Sequence, residues 1–458
     1  MNALLISALS GIAMMFGGFA MKRASAVRGL AYVLLLLVLG GALLDLRGIE
    51  LYHIANVERM LRFDRFASLF MVVAVVATLA YFLLSARDME KVGKHYAEYF
   101  TLIFFILTGV AMTAAFQSLL ILFLGIEVLS IPLYILAGSE KNNLKSNEAA
   151  LKYFLMGSFS TGLMLMGIAL LYGATGTFNT VGYVPGDAGV PVLMTAGMLM
   201  LLFALSFKVS AAPFHFWTPD VYDGSPTVFT SFMATVVKAA GFIAFMRLFN
   251  ESFGGIAMQW KLIVAVIVAI TLFIGNITAV FQQSVKRMLA YSSIAQAGFM
   301  MMAVYALNSD AMDGLILYTA AYSFATIGIF AVLIRMKDQS FEGFNGFARQ
   351  QPLVAATLVI FLLSLAGIPL TAGFLSKFYM LRATLQAGSM ALPVFAVLMA
   401  AISVYYYFRL LQAMYFREGN SGSTLRLNTG FKATLVALAA LTIALGLFPE
   451  LLTGWLYF

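Results

Sequence analysis

The chain has 458 residues, 62% of them hydrophobic and only 10% charged, with net charge +8 and mean hydropathy +0.94. Ordinary soluble domains are about 25% charged, so a water-soluble globular fold is excluded. There is no Cys, the three His (His53, His95, His215) are dispersed, and neither a GxGxxG unit nor a P-loop is present. That leaves no disulfide, thiolate metal site or iron–sulfur ligand, and no recognisable device for binding a dinucleotide or ATP.

A helix needs roughly 20 apolar residues to cross a bilayer. About fourteen spans are predicted, near 3–20, 29–45, 66–85, 99–115, 117–137, 149–173, 191–214, 226–249, 261–281, 288–307, 314–335, 353–381, 391–414 and 433–455. The expected fold is an all-α polytopic membrane protein. The first span is not a cleavable signal, because no Lys or Arg precedes Lys22 and Arg23.

Basic residues gather in alternate loops: Lys22, Arg23 and Arg28; Arg87, Lys91 and Lys94; Lys141, Lys145 and Lys152; Lys286 and Arg287; Arg335, Lys337 and Arg349; Arg417, Arg426 and Lys432. The opposite loops are nearly bare. This is the positive-inside pattern rather than a nucleic-acid surface, and it places both termini outside. One loop breaks the rule. Leu46–Arg65 holds Arg47, Arg59, Arg62 and Arg65 on the outer side, where Glu50, Glu58 and Asp64 suggest a paired, folded loop.

Two spans are interrupted, the seventh and the twelfth. "LSFKVSAAPFHFW" carries Pro213 five residues after Lys208, and "SLAGIPLTAGFLSKFY" carries Gly367, Pro369 and Gly373 just before Lys377. Proline removes a helical hydrogen bond, and such breaks persist at membrane depth only where protein or water satisfies the freed groups. Paired breaks point to a transporter built from repeats. "AALKYFLMGSFSTGLMLMGIAL" resembles "DGLILYTAAYSFATIGIFAVL", and "FIAFMRLF" matches "VYYYFRLL" through Arg247 and Arg409. An offset of five spans makes the units inverted. The expected division is helices 1–3 in 1–98, a first five-helix repeat in 99–250, a second, inverted one in 261–416, and a last helix in 433–458.

Glu127, Lys208, Lys238 and Lys377 each lie inside long apolar runs. Each costs about 2.5–3.5 kcal/mol at a helix centre, on the order of 10 kcal/mol together. Their cheapest use is to move protons. Burial and an approaching carboxylate shift an amine in opposite directions, and moving one charge through 100 mV takes about 2.3 kcal/mol, under two pKa units. Glu127 would load Lys208, with Lys238 and Lys377 as later stations. Blander readings stay open: Lys377 snorkelling to the headgroups, Glu127 and Lys208 as a static pair, and His215 capping the broken helix instead of relaying protons. Asp220 and Asp223 read as shaping the loop "TPDVYDGSP".

At "LGIEVLSIPLYILAG", "FKVSAAPFHFWTPDVYDGSPT" and "GIPLTAGFLSKFY" the chain resembles the N-subunit family of bacterial respiratory complex I, the NADH–quinone oxidoreductase, along essentially its whole length. The resemblance implies a proton-translocating subunit in which Glu127 and Lys208 form a controlling pair, Lys238 is the central lysine, and Lys377 stands where an M-type subunit has Glu. It implies no cofactor in this chain, with NADH, FMN, iron–sulfur clusters and quinone held by partner subunits. The implied partners are the antiporter-like M and L types, the small K, J and A types, and the lipid of the bacterial inner membrane. The L type's lateral helix is not expected here. One departure stands out: the second half has no Glu matching Glu127, only "YSSIAQAGF" around Ser292 and Gln296. The alternatives are a subunit of a multisubunit cation/proton antiporter or membrane-bound hydrogenase, and a membrane scaffold whose charges only pack.

Overall fold

The computed structural model describes residues 1–21, 23–51, 59–180, 182, 189–419 and 427–457. Of the residues singled out above, Lys22, His53, Glu58 and Arg426 lie outside these. Among the described residues all regular structure is helical. The first half comprises α1 (Asn2–Ala20), α2 (Ala24–Leu46), α3 (Arg65–Val92), α4 (Tyr96–Ala115), α5 (Leu119–Ala137), α6 (Leu144–Thr175), α7 (Val192–Lys208), α8 (Trp217–Gly224), α9 (Thr227–Phe232) and α10 (Lys238–Phe253). The second comprises α11 (Ala257–Val280), α12 (Val285–Ala306), α13 (Ser309–Leu333), α14 (Phe347–Gln350), α15 (Pro352–Ala366), α16 (Ala372–Gln386), α17 (Ala391–Phe416), α18 (Thr429–Leu447) and α19 (Glu450–Thr453).

Among the described residues, eleven helical stretches are long and apolar enough to cross a membrane, one of them the run Thr227–Val280, which takes in two expected spans. Val192–Lys208 and Pro352–Ala366 are shorter apolar helices. They are the first halves of the two interrupted spans. Helix starts fall where a side chain can take up a free N–H: Asp64 accepts from Ala67, Asn143 from Lys145, Ser284 from Arg287, Asn308 from Ala311 and Asn428 from Phe431.

α13 is wholly enclosed by protein, and α3 and α12 nearly so. A helix that is apolar all round belongs in such a position. α1, α2, α6 and α17 instead turn large apolar side chains outward, among them Phe16, Leu36, Phe159 and Phe408.

One packing arrangement occurs twice. Gly109 of α4 lies against the backbone of Leu129 on α5, and Gly275 of α11 lies against the backbone of Ala295 on α12. Arg247 of α10 donates to Ala114 O at the end of α4 (2.7 Å), and Arg409 of α17 donates to Val280 O at the end of α11 (3.4 Å). Unpaired carbonyls and the negative end of the helix dipole favour a cation there. One constant sequence separation relates Gly109 to Gly275, Ala114 to Val280 and Leu129 to Ala295. The two arginines hold different loops. Arg247 joins the loop of Arg62 and Asp64, whereas Arg409 holds Gln282 and Gln283. The loop expected to be paired is so in its described part: Asp64 receives Arg247 (2.6 Å) and Arg62 (3.6 Å), and Arg62 also reaches Glu251 (2.8 Å).

Candidate functional site

Glu127, Ser130 and Tyr134 are spaced three and four residues apart, so they share one face of α5. Pro132, within the same helix, removes one backbone bond beside them. Lys208 is the last residue of α7, and its Nζ donates to Ser130 Oγ (2.9 Å) and Tyr134 Oη (3.3 Å). Glu127 is half-buried and accepts from Thr161 Oγ1 of α6 at 2.7 Å. The expected neighbours are therefore not an ion pair; a hydroxyl one turn along α5 takes the ammonium instead.

Beyond Lys208 the chain leaves helical geometry until Trp217. Ser210 has φ 64°, and the hydroxyls of Ser206, Ser210 and Thr218 are buried with no partner among the described residues. His215 sits in this break, buried, its ring against Phe216 at 4.5 Å and its Nδ1 likewise unpartnered. No hydrogen bond or ion pair joins it to any of the four charges.

Lys238 opens α10 directly after a π-helical turn, Met233–Val237. It is 2% exposed. Its Nζ donates to Ser293 Oγ (2.9 Å) and Ser293 O (3.1 Å) and lies 5.7 Å from the centre of the Tyr222 ring. Gly241, one turn further, packs against Val209, which brings this face of α10 beside the first break. The separation that relates Leu129 to Ala295 also relates Glu127 to Ser293 and Ser130 to Gln296. A serine thus occupies the place of the missing second carboxylate, and it is the partner of Lys238.

The second break is built around Lys377. Gly367 ends α15 at φ 85°, the left-handed region in which a side chain is strained, and a Cβ there would meet Lys377 Cδ at 2.8 Å. Thr371 caps the start of α16. Lys377 reaches back from α16 to the final carbonyls of α15, donating to Leu365 O (2.8 Å) and Ala366 O (2.9 Å). It is 6% exposed, so it does not snorkel.

Further polar side chains gather beside Ser293 and the carbonyls that hold Lys377. Gln296, one turn from Ser293, donates to the same Leu365 O at 2.9 Å and to Tyr407 Oη at 3.1 Å, and accepts from Tyr318 Oη. Tyr407 in turn meets Ser292 Oγ at 2.5 Å. A cavity with about 10 Å³ of room for water centres lies among Gln296, Tyr318, Tyr322, Ser364 and Leu365, space for about one molecule. Among the described residues, none of these three lysine amines is paired with a carboxylate. No cluster of His, Asp and Glu there could hold a metal ion.

Ser130, Tyr134, Thr161, Ser293, Tyr318 and Tyr407 escape sequence reasoning, because hydroxyls are common in apolar helices. Ser130 and Tyr134 are signalled only by helical spacing from Glu127, and Ser293 by spacing from Gln296, which the sequence marks only as standing where a Glu is missing; Thr161, Tyr318 and Tyr407 carry no such signal.

A family profile described as NADH:quinone oxidoreductase/Mrp antiporter, TM, matches residues 116–403. The chain is 39% identical over 460 residues to NADH-quinone oxidoreductase subunit N of Cytophaga hutchinsonii, covering 99% of this chain and 98% of that one. It is 38% identical over 401 residues to the subunit N of Trichlorobacter lovleyi, covering 85% and 82%. A chain of respiratory complex I from Thermus thermophilus superposes with TM-score 0.85 at 33% identity, covering 99% and 98%. A chain of the Mrp complex from Dietzia superposes with TM-score 0.86 at 20% identity over 99% and 96%, a likeness of fold alone.

Proposed function

The chain belongs to the NADH:quinone oxidoreductase/Mrp antiporter membrane family, within its NADH-quinone oxidoreductase subunit N group, and from this premise we propose that it carries protons across the bilayer in that enzyme. One observation carries the reading. Three lysine amines, none paired with a carboxylate among the described residues, stand on hydroxyls and backbone carbonyls across the apolar body. A permanent charge held this way would be a standing cost, whereas an amine that gains and loses a proton meets it for part of the cycle only.

Glu127 is the controlling carboxylate, Lys208 the amine it acts on through Ser130, Lys238 the central station and Lys377 the last. Gln296, Tyr318 and Tyr407 link the last two. His215 relays protons at the first break, where its Nδ1 and three hydroxyls need water partners. Transfer conserves charge, since each ammonium hands its proton to the next neutral amine and is reprotonated from behind. The spans form two inverted five-helix units, 99–250 and 261–416, a reading supported by the duplicated glycine and arginine contacts. The setting is the bacterial inner membrane, with both termini outside. Redox groups belong to partner subunits, and the direct neighbours are the other antiporter-like and small membrane subunits of complex I.

The test is the purified complete complex in proteoliposomes. Lys238→Gln is expected to assemble and to lose most NADH-driven proton transfer. Full transfer in that variant would remove the central station. Copurification with flavin and iron–sulfur subunits checks the assembly.

A further inference from the structure

We propose that Lys286 is a proton-transfer residue, the station through which protons pass from an aqueous pocket at the protein's polar face to Lys238. The inference rests on the proton-carrying reading above and names where that path begins. In sequence Lys286 reads as a loop cation beside Arg287. In the structure it points inward and is 5% exposed. Its Nζ donates to two main-chain oxygens, Asp223 O (2.9 Å) and Ser225 O (2.7 Å), and to no carboxylate. The carboxylate of Asp223 faces Arg287 instead, at 3.9 Å.

On one side of this amine, across Asp223, lies an open polar pocket. A pocket with about 160 Å³ of room for water centres is lined by Glu148, Lys152, Asp220, Asp223, Gly224 and Arg287. Asp220 binds Lys152 (2.9 Å) and Arg287 (3.3 Å) within it. Asp223 belongs both to the pocket wall and to the contacts of Lys286. On the other side lies Lys238. Tyr222, next to Asp223 in sequence, places its ring 5.7 Å from Lys238 Nζ. Ser293, which holds Lys238, is two helical turns beyond Lys286 on the same face of α12, about 10 Å away. The hydroxyl of Ser225, whose main-chain oxygen holds Lys286, is buried without a partner among the described residues, a group that water completes.

The transfer balances simply. Lys286 releases a proton inward through water to neutral Lys238 and takes another from the pocket; no bond other than N–H and O–H changes, and no oxidant is needed. A lysine serving only to cap α8 would need its charge and donors, not its ability to deprotonate.

The experiment uses the whole complex in proteoliposomes, with Lys238→Gln measured in parallel. Lys286→Arg keeps the charge and the donors but does not deprotonate. It is expected to assemble and to lose proton-coupled quinone reduction severalfold. Lys286→Ala is expected to lose it too and to regain it with added small primary amines in an order that follows their basicity, a dependence that charge or packing alone would not give. An assembled Lys286→Arg enzyme with wild-type coupling, beside an impaired Lys238→Gln enzyme, overturns Lys286 alone. Wild-type coupling in both overturns the underlying reading as well. If Lys286→Arg does not assemble, an assembled Lys286→Ala enzyme decides: recovery that follows amine basicity supports the station, and no recovery, or recovery indifferent to basicity, overturns it.

Discussion

Lys208 donates to Ser130 Oγ at 2.9 Å, one helical turn from Glu127, which is itself held by Thr161 at 2.7 Å. Carboxylate and amine therefore share no direct ion pair, and either can shift without breaking one. Glu127→Gln and Lys208→Ala should each impair proton transfer, and the double change should cost much less than the sum. Ser130→Ala should lower the coupling energy. Additive losses in the double-mutant cycle would mean the two never interact.

Lys377 sits on the two last carbonyls of α15. Lys377→Arg keeps a cation at that helix end but not one that deprotonates. The complex should assemble, while proton-coupled quinone reduction falls severalfold or more. Wild-type coupling in the assembled variant would end the relay at or before Lys238.

Gly367 and Gly388 both have positive φ, 85° and 90°, but only Gly367 faces Lys377; around Gly388 there is open space. Alanine at either position meets about 1–2 kcal/mol of backbone strain. Gly367→Ala should also displace Lys377 and reduce coupling, whereas Gly388→Ala should lower thermal stability alone. Equal coupling in the two assembled variants would show that the amine's placement is unimportant.

Arg247 is buried and binds Ala114 O, Asp64 and Glu251, while Arg409 is half-exposed. Removing one partner of a buried pair costs roughly 3 kcal/mol or more. Arg247→Ala should lower the melting temperature of the detergent-solubilised complex clearly more than Arg409→Ala does. The reverse order would contradict the burial argument.

Lys145 lies at the rim of the pocket beside Asp220 and Arg287, in a loop read as inside from charge asymmetry. A membrane-impermeant amine reagent should label it in inverted vesicles and not in intact cells. Labelling from the outer face of cells would invert the topology.

The sequence alone determined what is set by the cost of burial. A membrane fold, the spans, both interruptions and the four isolated charges follow from apolar length and from the penalty on each ionisable group, which are properties of local sequence. The matched arginines were legible from the likeness of "FIAFMRLF" to "VYYYFRLL". Which hydroxyl receives which amine depended on helix packing: the close approach at Gly109 and Gly275 sets the register that puts Ser293 in the place of Glu127. Only that register shows that Lys238 has a serine where a carboxylate was sought. Likewise Lys286 counts as a loop charge until α8 folds back over it, because burial of a side chain near a helix end is decided by what packs on top of it and not by its neighbours in sequence.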